Sequence, residues 1–387
     1  MSNFHKIDPA LLYGVSKQES CEEVFNCVVY TKDFQYFKKQ FVSTIKKEVL
    51  EFPFIQAFGL ELSKNEILQF ADYSVVTYIT KQANVFAQID VAKQIMNVEA
   101  ICENRFYGSG VTVAVIDTGI SNHLDFCLPH KRVIKFVDLI SHKDKPYDDN
   151  GHGTFVASIA CGNGFSSGGR YAGICPKANI ISIKALEKNG ETGTFKILEA
   201  MQWVYDHKKE YNIKVVCMSF GSTPVAYNDP MMLGAEALWN EGIVVVAAAG
   251  NAGPEMNTIK SPGASGKIIT VGGFNDKRNA KGEYKPSEFE IAEFSSRGPA
   301  GYFFKPDIVA PAVNIMGARV NGGYISMSGT SVATPMIAGV SALICEKYPT
   351  IQPNKVKKML LGNCAKLTNN RNADGQGYLK LSNFKIW

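Results

Sequence analysis

From residue 111 onward, short apolar runs alternate with segments in which apolar residues recur at helical spacing, such as "FKILEAMQWVYDHKKEY" (195–211). Several runs are almost continuous Val, Ile and Ala, which is typical of strands buried on both faces of a sheet. This alternation predicts an α/β domain with a mainly parallel central sheet and helices on both faces. The predicted strands are 111–117, 132–139, 178–186, 213–220, 242–250 and 267–273.

The first hundred residues show a different pattern. It predicts strands at 23–31 and 54–63, helices at 33–49 and 64–73, and a strand from 74 that runs into an extended tail by 88. The order β-α-β-α-β, with the option that the long middle segment folds as a hairpin, favours a small α+β domain of ferredoxin-like type. We therefore predict two domains, 1–88 and 89–387.

Composition narrows the classes of partner. The formal charge of +5 over 387 residues is mild, and no cluster of Lys and Arg adds to it, so we expect neither nucleic acid nor membrane as a partner. No segment offers the roughly 20 apolar residues of a membrane span, and the first 20 residues lack the apolar core of a secretory signal. The nine cysteines are scattered without a C-x-x-C pair, which favours free thiols in a reducing compartment.

Three stretches each place one reactive side chain among small residues. "AVIDTG" puts Asp117 at the end of a predicted strand, while "NGHGTFVASIA" and "SMSGTSVATPMIAG" put His152 and Ser331 at predicted helix starts. Ligands of open α/β sheets bind where strands end and helices begin, so the three residues can meet at one edge. Each alone has a structural alternative, as a turn residue, a helix-start residue or a helix cap. Together, in the order Asp, His, Ser and with glycines around each, they favour a joint site.

These stretches resemble the subtilisin-like serine proteases, and the resemblance extends from about residue 90 to about 365. It is carried by "VAVIDTGI", "HGTFVASIA" and "SGTSVATPMIAG", with support from "MSFGS", "VVAAAGNAG", "EFSSRGP" and "KPDIVAPA". The resemblance implies a serine endopeptidase that works through an acyl-enzyme. Ser331 would be the nucleophile, His152 the general base and then acid, and Asp117 the group that orients the imidazole.

The resemblance also implies how the substrate is held. Asn251 matches the asparagine that stabilises the negative carbonyl oxygen, with the backbone N–H of Ser331 as second donor. Two segments match the edges between which these enzymes hold an extended peptide as an added strand. They are "SFG" (Ser219, Phe220, Gly221) and "NGETG", which includes Gly190 and Glu191.

In this family the small domain before the catalytic domain is a prodomain that assists folding and then inhibits. The resemblance therefore implies that residues 1–88 are an inhibitor and chaperone of their own enzyme. We expect a self-processing zymogen, with cleavage within "NVFAQID" between Gln88 and Ile89.

One residue departs from the family at the specificity pocket. Lys260 in "TIKSPG" occupies the position of a glycine that forms the floor of the pocket for the residue before the cleaved bond. A buried ammonium is costly without an anion, which favours selection of Glu, Asp or Gln. The alternative is that the flexible stem carries the amine to solvent or to Glu255 and leaves the pocket apolar.

The resemblance requires no cofactor for catalysis and leaves a structural calcium ion open. The segment "CGNGFSSGGRYAG" (161–173) follows the histidine helix where many secreted members carry a calcium loop, and it lacks carboxylates and shows no clear metal site. The expected partners are a peptide or protein substrate and the prodomain. The expected location is cytoplasmic or spore-associated, with secretion by another route left open.

Two rival functions fit parts of this sequence. A dinucleotide-binding fold is rejected because the glycines of "GSGVTVAVID" precede the strand, whereas that fingerprint needs them after it. The second rival is a catalytically silent pseudoprotease that binds or signals with its prodomain retained. The intact Asp117, His152, Ser331 and Asn251 argue against it.

Overall fold

The computed structural model describes residues 3–8, 11–12, 15, 24–42, 48–81, 89–98, 106–224, 228–279 and 281–381. The chain divides into two compact units, Met1–Val85 and Phe86–Trp387. Each unit is described by itself.

The first unit is a four-stranded antiparallel sheet with two helices. Its strands lie in the order β2-β3-β1-β4, and β2 and β3 form a hairpin, which confirms the ferredoxin-like prediction. Asp33 caps the first helix, and Ser63 with Glu66 forms a capping box at the second. The elements are β1 (Val24–Thr31), α1 (Phe34–Gln40), β2 (Val49–Phe52), β3 (Ala57–Ser63), α2 (Lys64–Asp72) and β4 (Val76–Lys81), with 3-10 turns at Phe4–Lys6 and Pro53–Ile55.

Two predicted boundaries in this unit are wrong. The helix predicted for 33–49 ends at Gln40, and Val49 already belongs to a strand. The strand predicted from residue 54 begins only at Ala57, because Pro53 starts a 3-10 turn between the two hairpin strands. The unit has its own core, in which Phe37 is fully buried against the rings of Phe58 and Phe70.

The second unit contains a large, mainly parallel sheet, which confirms the predicted class. Strands β6-β7-β5-β8-β9-β10-β12 follow one another in parallel pairs, and all six predicted strands are present. Its strands are β5 (Thr112–Asp117), β6 (Val133–Asp138), β7 (Asn179–Lys184), β8 (Ile213–Met218), β9 (Val244–Ala248), β10 (Ile269–Asn275), β11 (Glu290–Ile291), β12 (Ile308–Pro311), β13 (Ile315–Ala318), β14 (Tyr324–Met327), β15 (Cys364–Ala365) and β16 (Tyr378–Leu379).

Helices flank this sheet. One of them, α8, is buried along almost its whole length and packs on β8, β9 and β10. The helices are α3 (Ile89–Met96), α4 (Leu124–Cys127), α5 (His152–Cys161), α6 (Thr194–His207), α7 (Pro230–Asn240), α8 (Thr330–Lys347), α9 (Pro353–Gly362) and α10 (Arg371–Asp374), with 3-10 turns at Phe165–Ser167 and Pro286–Glu288. Across the described ranges, no helix has the length and apolarity that crossing a membrane requires.

The winding of the sheet reverses at β5. From β5 the chain builds β6 and β7 on one side, and then β8, β9 and β10 on the other. The connections on the two sides diverge at such a point and leave a crevice at the carboxyl ends of the strands, where open α/β sheets bind their ligands. The carboxyl end of β5 is Asp117.

Candidate active site

Asp117 and His152 form a hydrogen-bonded pair at this crevice. Asp117 is 1% exposed, and its Oδ1 accepts hydrogen bonds at 2.8 Å from both the backbone N of Thr118 and Nδ1 of His152. His152 is the first residue of α5, and its side chain is 28% exposed. Since Nδ1 is engaged with the carboxylate, Nε2 is the ring nitrogen left for a second partner.

The carboxylates change the charge behaviour of the imidazole. Burial lowers the pKa of His152, but the charge of Asp117, its hydrogen bond and the charge of Asp148 outweigh burial, so the pKa is raised. The pair therefore stabilises the folded state fully below the unfolded value of about 6.5. That contribution is lost as the pH rises through the folded-state pKa.

Ser331 and Asn251 converge around Gly329. A Cβ placed on Gly329 would lie 3.1 Å from Oγ of Ser331 and 3.3 Å from Nδ2 of Asn251, and the φ of Gly329 is +153°. Oδ1 of Asn251 accepts two hydrogen bonds of 2.9 Å from the N–H and Oγ1 of Thr330. These bonds fix the amide so that its N–H₂ faces the space beside Ser331 Oγ.

The Asp117–His152 pair and the residues Asn251 and Ser331 lie at the same edge of the sheet. Asp117 ends β5, and Asn251 follows β9 by three residues. Only β8 separates these two strands, so their ends are about 10 Å apart at the usual strand spacing. Ser331 is the second residue of α8 and reaches this edge because Oγ1 of the neighbouring Thr330 accepts from the N–H of Gly250 at 3.2 Å.

The two predicted substrate edges flank these residues. Ser219, Phe220 and Gly221 follow β8, and Ser222 pairs with Ser261 through backbone hydrogen bonds of 3.0 and 2.8 Å. The other edge, 189–193, belongs to an exposed loop that Asn150 contacts, since its Nδ2 donates to the carbonyl of Lys188 at 2.8 Å.

The loop that contains Gly190 and Glu191 is closed by its own backbone hydrogen bonds. The N–H of Gly190 donates to the carbonyl of Glu187, and the N–H of Glu187 donates to the carbonyl of Glu191, both at 2.9 Å. A φ of +82° at Gly190 closes this turn. The turn lies beside the segment that leads into His152.

Lys260 is partly buried and lies against two glycines. A Cβ on Gly221 would meet Cβ of Lys260 at 2.7 Å, and one on Gly250 would overlap its Cγ. The stem therefore occupies the space between the segments after β8 and β9. Nζ donates to Oγ1 of Thr223 at 3.1 Å, a neutral partner rather than Glu255.

A surface cavity of about 840 Å³ opens next to this lysine. Thr223 and Ile259, which contact or adjoin Lys260, line one side of it, and the exposed rings of Tyr302 and Phe303 line another. The hydroxyl that Lys260 contacts thus belongs to a residue that lines this mostly apolar cavity.

A carboxylate that contacts the loop after α5 is held by protein donors. Asp125 is fully buried, and its two oxygens accept hydrogen bonds from the N–H of Ser166 at 2.9 Å and the hydroxyl of Tyr324 at 2.8 Å. Calcium needs six to eight oxygen ligands, and these oxygens already face protein donors. Among the residues that the structure describes, no group of three or more His, Cys, Asp and Glu side chains is placed to hold a metal.

The described residues cover only one side of the bond that is predicted to be cleaved. Gln88 lies outside the described residues, and Ile89 is the first residue of α3.

Sequence reasoning missed four residues that shape the site: Thr118, Asp148, Gly329 and Thr330. A signal existed for Asp148, since an acidic residue precedes His152 by four positions in "DDNGHG". Its contacts depend on the tertiary fold, so the spacing alone does not assign them.

Comparison with known proteins agrees with this geometry. The subtilase family profile matches residues 108–378. Serine protease AprX of Bacillus subtilis (strain 168) is 40% identical over 300 residues, which span 71% of this chain and 66% of that protein. Thermostable alkaline protease of Halalkalibacterium halodurans is 28% identical over 354 residues, 91% of this chain and 90% of that protein.

Solved structures show the same likeness. Sphericase superposes with a TM-score of 0.62 at 27% identity, covering 74% of this chain and 97% of its own. A cold adapted subtilisin-like serine proteinase superposes with a TM-score of 0.58 at 26% identity, covering 77% of this chain and 98% of its own.

The raised pKa of His152 is open to measurement. We expect Asp117→Asn to lower it, because the substitution removes the charge that outweighs burial. An NMR titration of the imidazole measures the shift. Asp144→Asn removes an exposed carboxylate in the same loop as Asp148 and is the matched control. An unchanged titration in Asp117→Asn would show that this pair does not set the charge of His152.

Proposed function

The chain belongs to the subtilase family of serine proteases, and we propose that Asp117, His152 and Ser331 are its catalytic triad in the hydrolysis of peptide bonds. The observation that carries the proposal is the 2.8 Å hydrogen bond from His152 Nδ1 to the buried Asp117, at the point where the sheet reverses its winding. It orients an imidazole for general base catalysis and stabilises its charged form.

In the proposed reaction Ser331 Oγ attacks the peptide carbonyl carbon while Nε2 of His152 takes the hydroxyl proton. The imidazolium then gives this proton to the departing amine, which leaves an ester on Ser331. A water molecule, deprotonated by His152, hydrolyses the ester and regenerates the hydroxyl. Asp117 keeps Nδ1 protonated throughout and remains a carboxylate.

The charge on the carbonyl oxygen needs donors that are already oriented. Asn251 supports this role because Thr330 holds its Oδ1 and directs Nδ2 toward the space beside Ser331 Oγ. The backbone N–H of Ser331 lies in the first turn of α8, where the helix dipole favours negative charge. The edges at Ser219–Gly221 and Gly190–Glu191 would pair with the substrate backbone.

A fluorophosphonate probe, which reacts with activated serines, tests the triad. We expect it to label the wild type on Ser331 and to leave Ser331→Ala unlabelled. We expect Asn251→Ala to lower kcat by about 10²- to 10³-fold, the loss that removal of this type of donor causes in subtilisin itself. Wild-type protein that is folded but unlabelled would instead support the silent pseudoprotease.

The same proposal includes self-processing of residues 1–88 as an inhibitory prodomain. Its support is the separate core and ferredoxin-like order of the first unit, together with the family. Intact-mass measurement should find the wild type cut between Gln88 and Ile89 and Ser331→Ala uncut. If purified Ser331→Ala is cut there as readily as the wild type, self-processing is wrong.

Lys260 is proposed to select Glu, Asp or Gln before the cleaved bond. Its stem lies between Gly221 and Gly250, and the hydroxyl that Nζ contacts is neutral. A substrate carboxylate at this position would supply a negative charge, and hydrogen bonds to charged groups contribute about 1.5 to 3 kcal/mol.

A peptide library that reports cleavage sites tests this selectivity. We expect the wild type to prefer Glu, Asp or Gln, and Lys260→Met to lose about 10- to 100-fold of that preference, since it keeps the stem and removes the charge. Lys260→Gly should also admit large apolar residues. If Phe, Tyr or Leu dominate in the wild type and Lys260→Gly changes nothing, the selective role is excluded.

A further inference from the structure

A buried carboxylate outside the proposed triad collects hydrogen bonds from both sides of the site. Asp148 is 5% exposed and precedes His152 by four residues. Its Oδ1 accepts from Thr118 Oγ1 at 2.9 Å, Asn150 N at 3.1 Å and Gly151 N at 2.8 Å. Its Oδ2 accepts from the N–H and Oγ1 of Thr154 at 2.8 and 2.7 Å.

These donors belong to two different elements. Thr118 follows Asp117 at the end of β5, whereas Gly151 and Thr154 flank His152 at the start of α5. The backbone N–H of Thr118 also donates to Oδ1 of Asp117. Asp148 therefore joins the residues adjacent to both partners of the Asp117–His152 hydrogen bond.

Thr118 completes the connection as a relay. Its Oγ1 donates to Asp148 and accepts from the N–H of Gly153 at 2.9 Å. Gly153 lets the helix come close, because a Cβ there would lie 3.1 Å from Cβ of Asp117 and would overlap the carbonyl of Gly119. The strand end and the helix start are thus held at contact distance by one hydroxyl and one carboxylate.

The opposite side of Thr118 is held by a buried lysine. Nζ of Lys184 donates to the carbonyl of Thr118 at 2.8 Å and pairs with Asp149 at 2.7 Å. Lys184 is fully buried on β7, the strand next to β5. The turn after Asp117 is therefore fixed from two sides.

On the premise that the proposed function holds, we propose that Asp148 is a positioning residue for peptide hydrolysis. It holds the end of β5 against the start of α5 so that Asp117 and His152 keep their hydrogen bond during the reaction. Misplacement of a reacting group by about 1 Å costs about 10²-fold in rate, so a loosened contact reaches the chemistry directly.

Asp148 also acts through its charge. Burial raises its pKa, but the hydrogen bonds from Gly151, Thr154 and Thr118 outweigh burial and lower it, so the carboxylate is ionised at neutral pH. Its charge contributes to the raised pKa of His152. Loss of this charge should move the acidic limb of kcat/KM to lower pH. The other titratable groups around this network are Asp117, Tyr147, Asp149 and Lys184.

Two substitutions separate the effect of the Asp148 charge from the effect of its hydrogen bond to Thr118. Asp148→Asn removes the charge and offers an amide to five donors, whereas Thr118→Val keeps the shape of the side chain and removes only the relay hydroxyl. We expect both to lower kcat by about 10- to 100-fold with KM changed by less than about twofold. Asp148→Asn should shift the acidic limb further than Thr118→Val, because it removes a charge as well as weakening the hydrogen bond between His152 and Asp117. Thr118→Ser should recover most of the loss caused by Thr118→Val.

The control is Asp144→Asn, which makes the same chemical change on an exposed carboxylate and should leave kcat and the pH profile as in the wild type. If folded Asp148→Asn and Thr118→Val, checked by circular dichroism, both keep kcat within about twofold of the wild type, the positioning role is wrong. If kcat falls only in proportion to the fraction of unfolded protein, the positioning role is wrong as well.

A second measurement separates this inference from the proposed function. The downfield NMR signal of the His152 Nδ1 proton reports its hydrogen bond to Asp117 whether or not the protein cleaves peptides. We expect the signal in the wild type and in Asp144→Asn, and its loss or broadening in Asp148→Asn and Thr118→Val. If the wild type shows the signal but no fluorophosphonate labelling, the proposed function fails alone. If the signal is unchanged in both variants, the positioning role fails alone.

Discussion

The hydrogen bond from His152 Nδ1 to Asp117 Oδ1 constrains the positions of the backbone segments around the site more tightly than any other contact described above. It joins the last residue of a strand to the first residue of a helix, 35 positions later in the chain. Hydrogen bonds weaken outside a narrow range of distance and angle, so neither backbone has freedom to shift. The turn after Asp117 is held in place by three buried and hydrogen-bonded residues, Asp148, Thr118 and Lys184.

The parallel sheet supplies the rest of the site by geometry. Parallel strands end at one edge about 4.8 Å apart, so the segments after β5, β8 and β9 become neighbours although they are far apart in sequence. The buried helix α8 crosses beneath these strands and brings Ser331 to the same edge. Gly329 has no side chain at the point where Ser331 and Asn251 converge, which leaves room for a reacting group.

The proposed binding and selectivity depend on different contacts from those that hold the proposed triad. The proposed substrate edges offer backbone groups, which bind without regard to side chains. Lys260 is the charged side chain whose stem lies in the space between Gly221 and Gly250, so the proposed selectivity depends on where its amine is satisfied. The first unit has a core of its own, and the described residues that form this core all belong to that unit.

The sequence by itself determined the class of the large domain, because near-continuous apolar runs and helical spacing are local properties of the chain. It also singled out Asp117, His152, Ser331 and Asn251 as a candidate site, since each stands among small residues and they follow the order that the family resemblance implies. It did not determine the boundaries around Pro53, where the hairpin pairing rather than the local pattern ends the strands. Nor did it assign Asp148 or the position of the Lys260 amine. The contacts of both side chains depend on which backbone donors and hydroxyls surround them. The packing of β5 against α5 decided the partners of Asp148, and the packing of the segments after β8 and β9 decided the partner of the Lys260 amine.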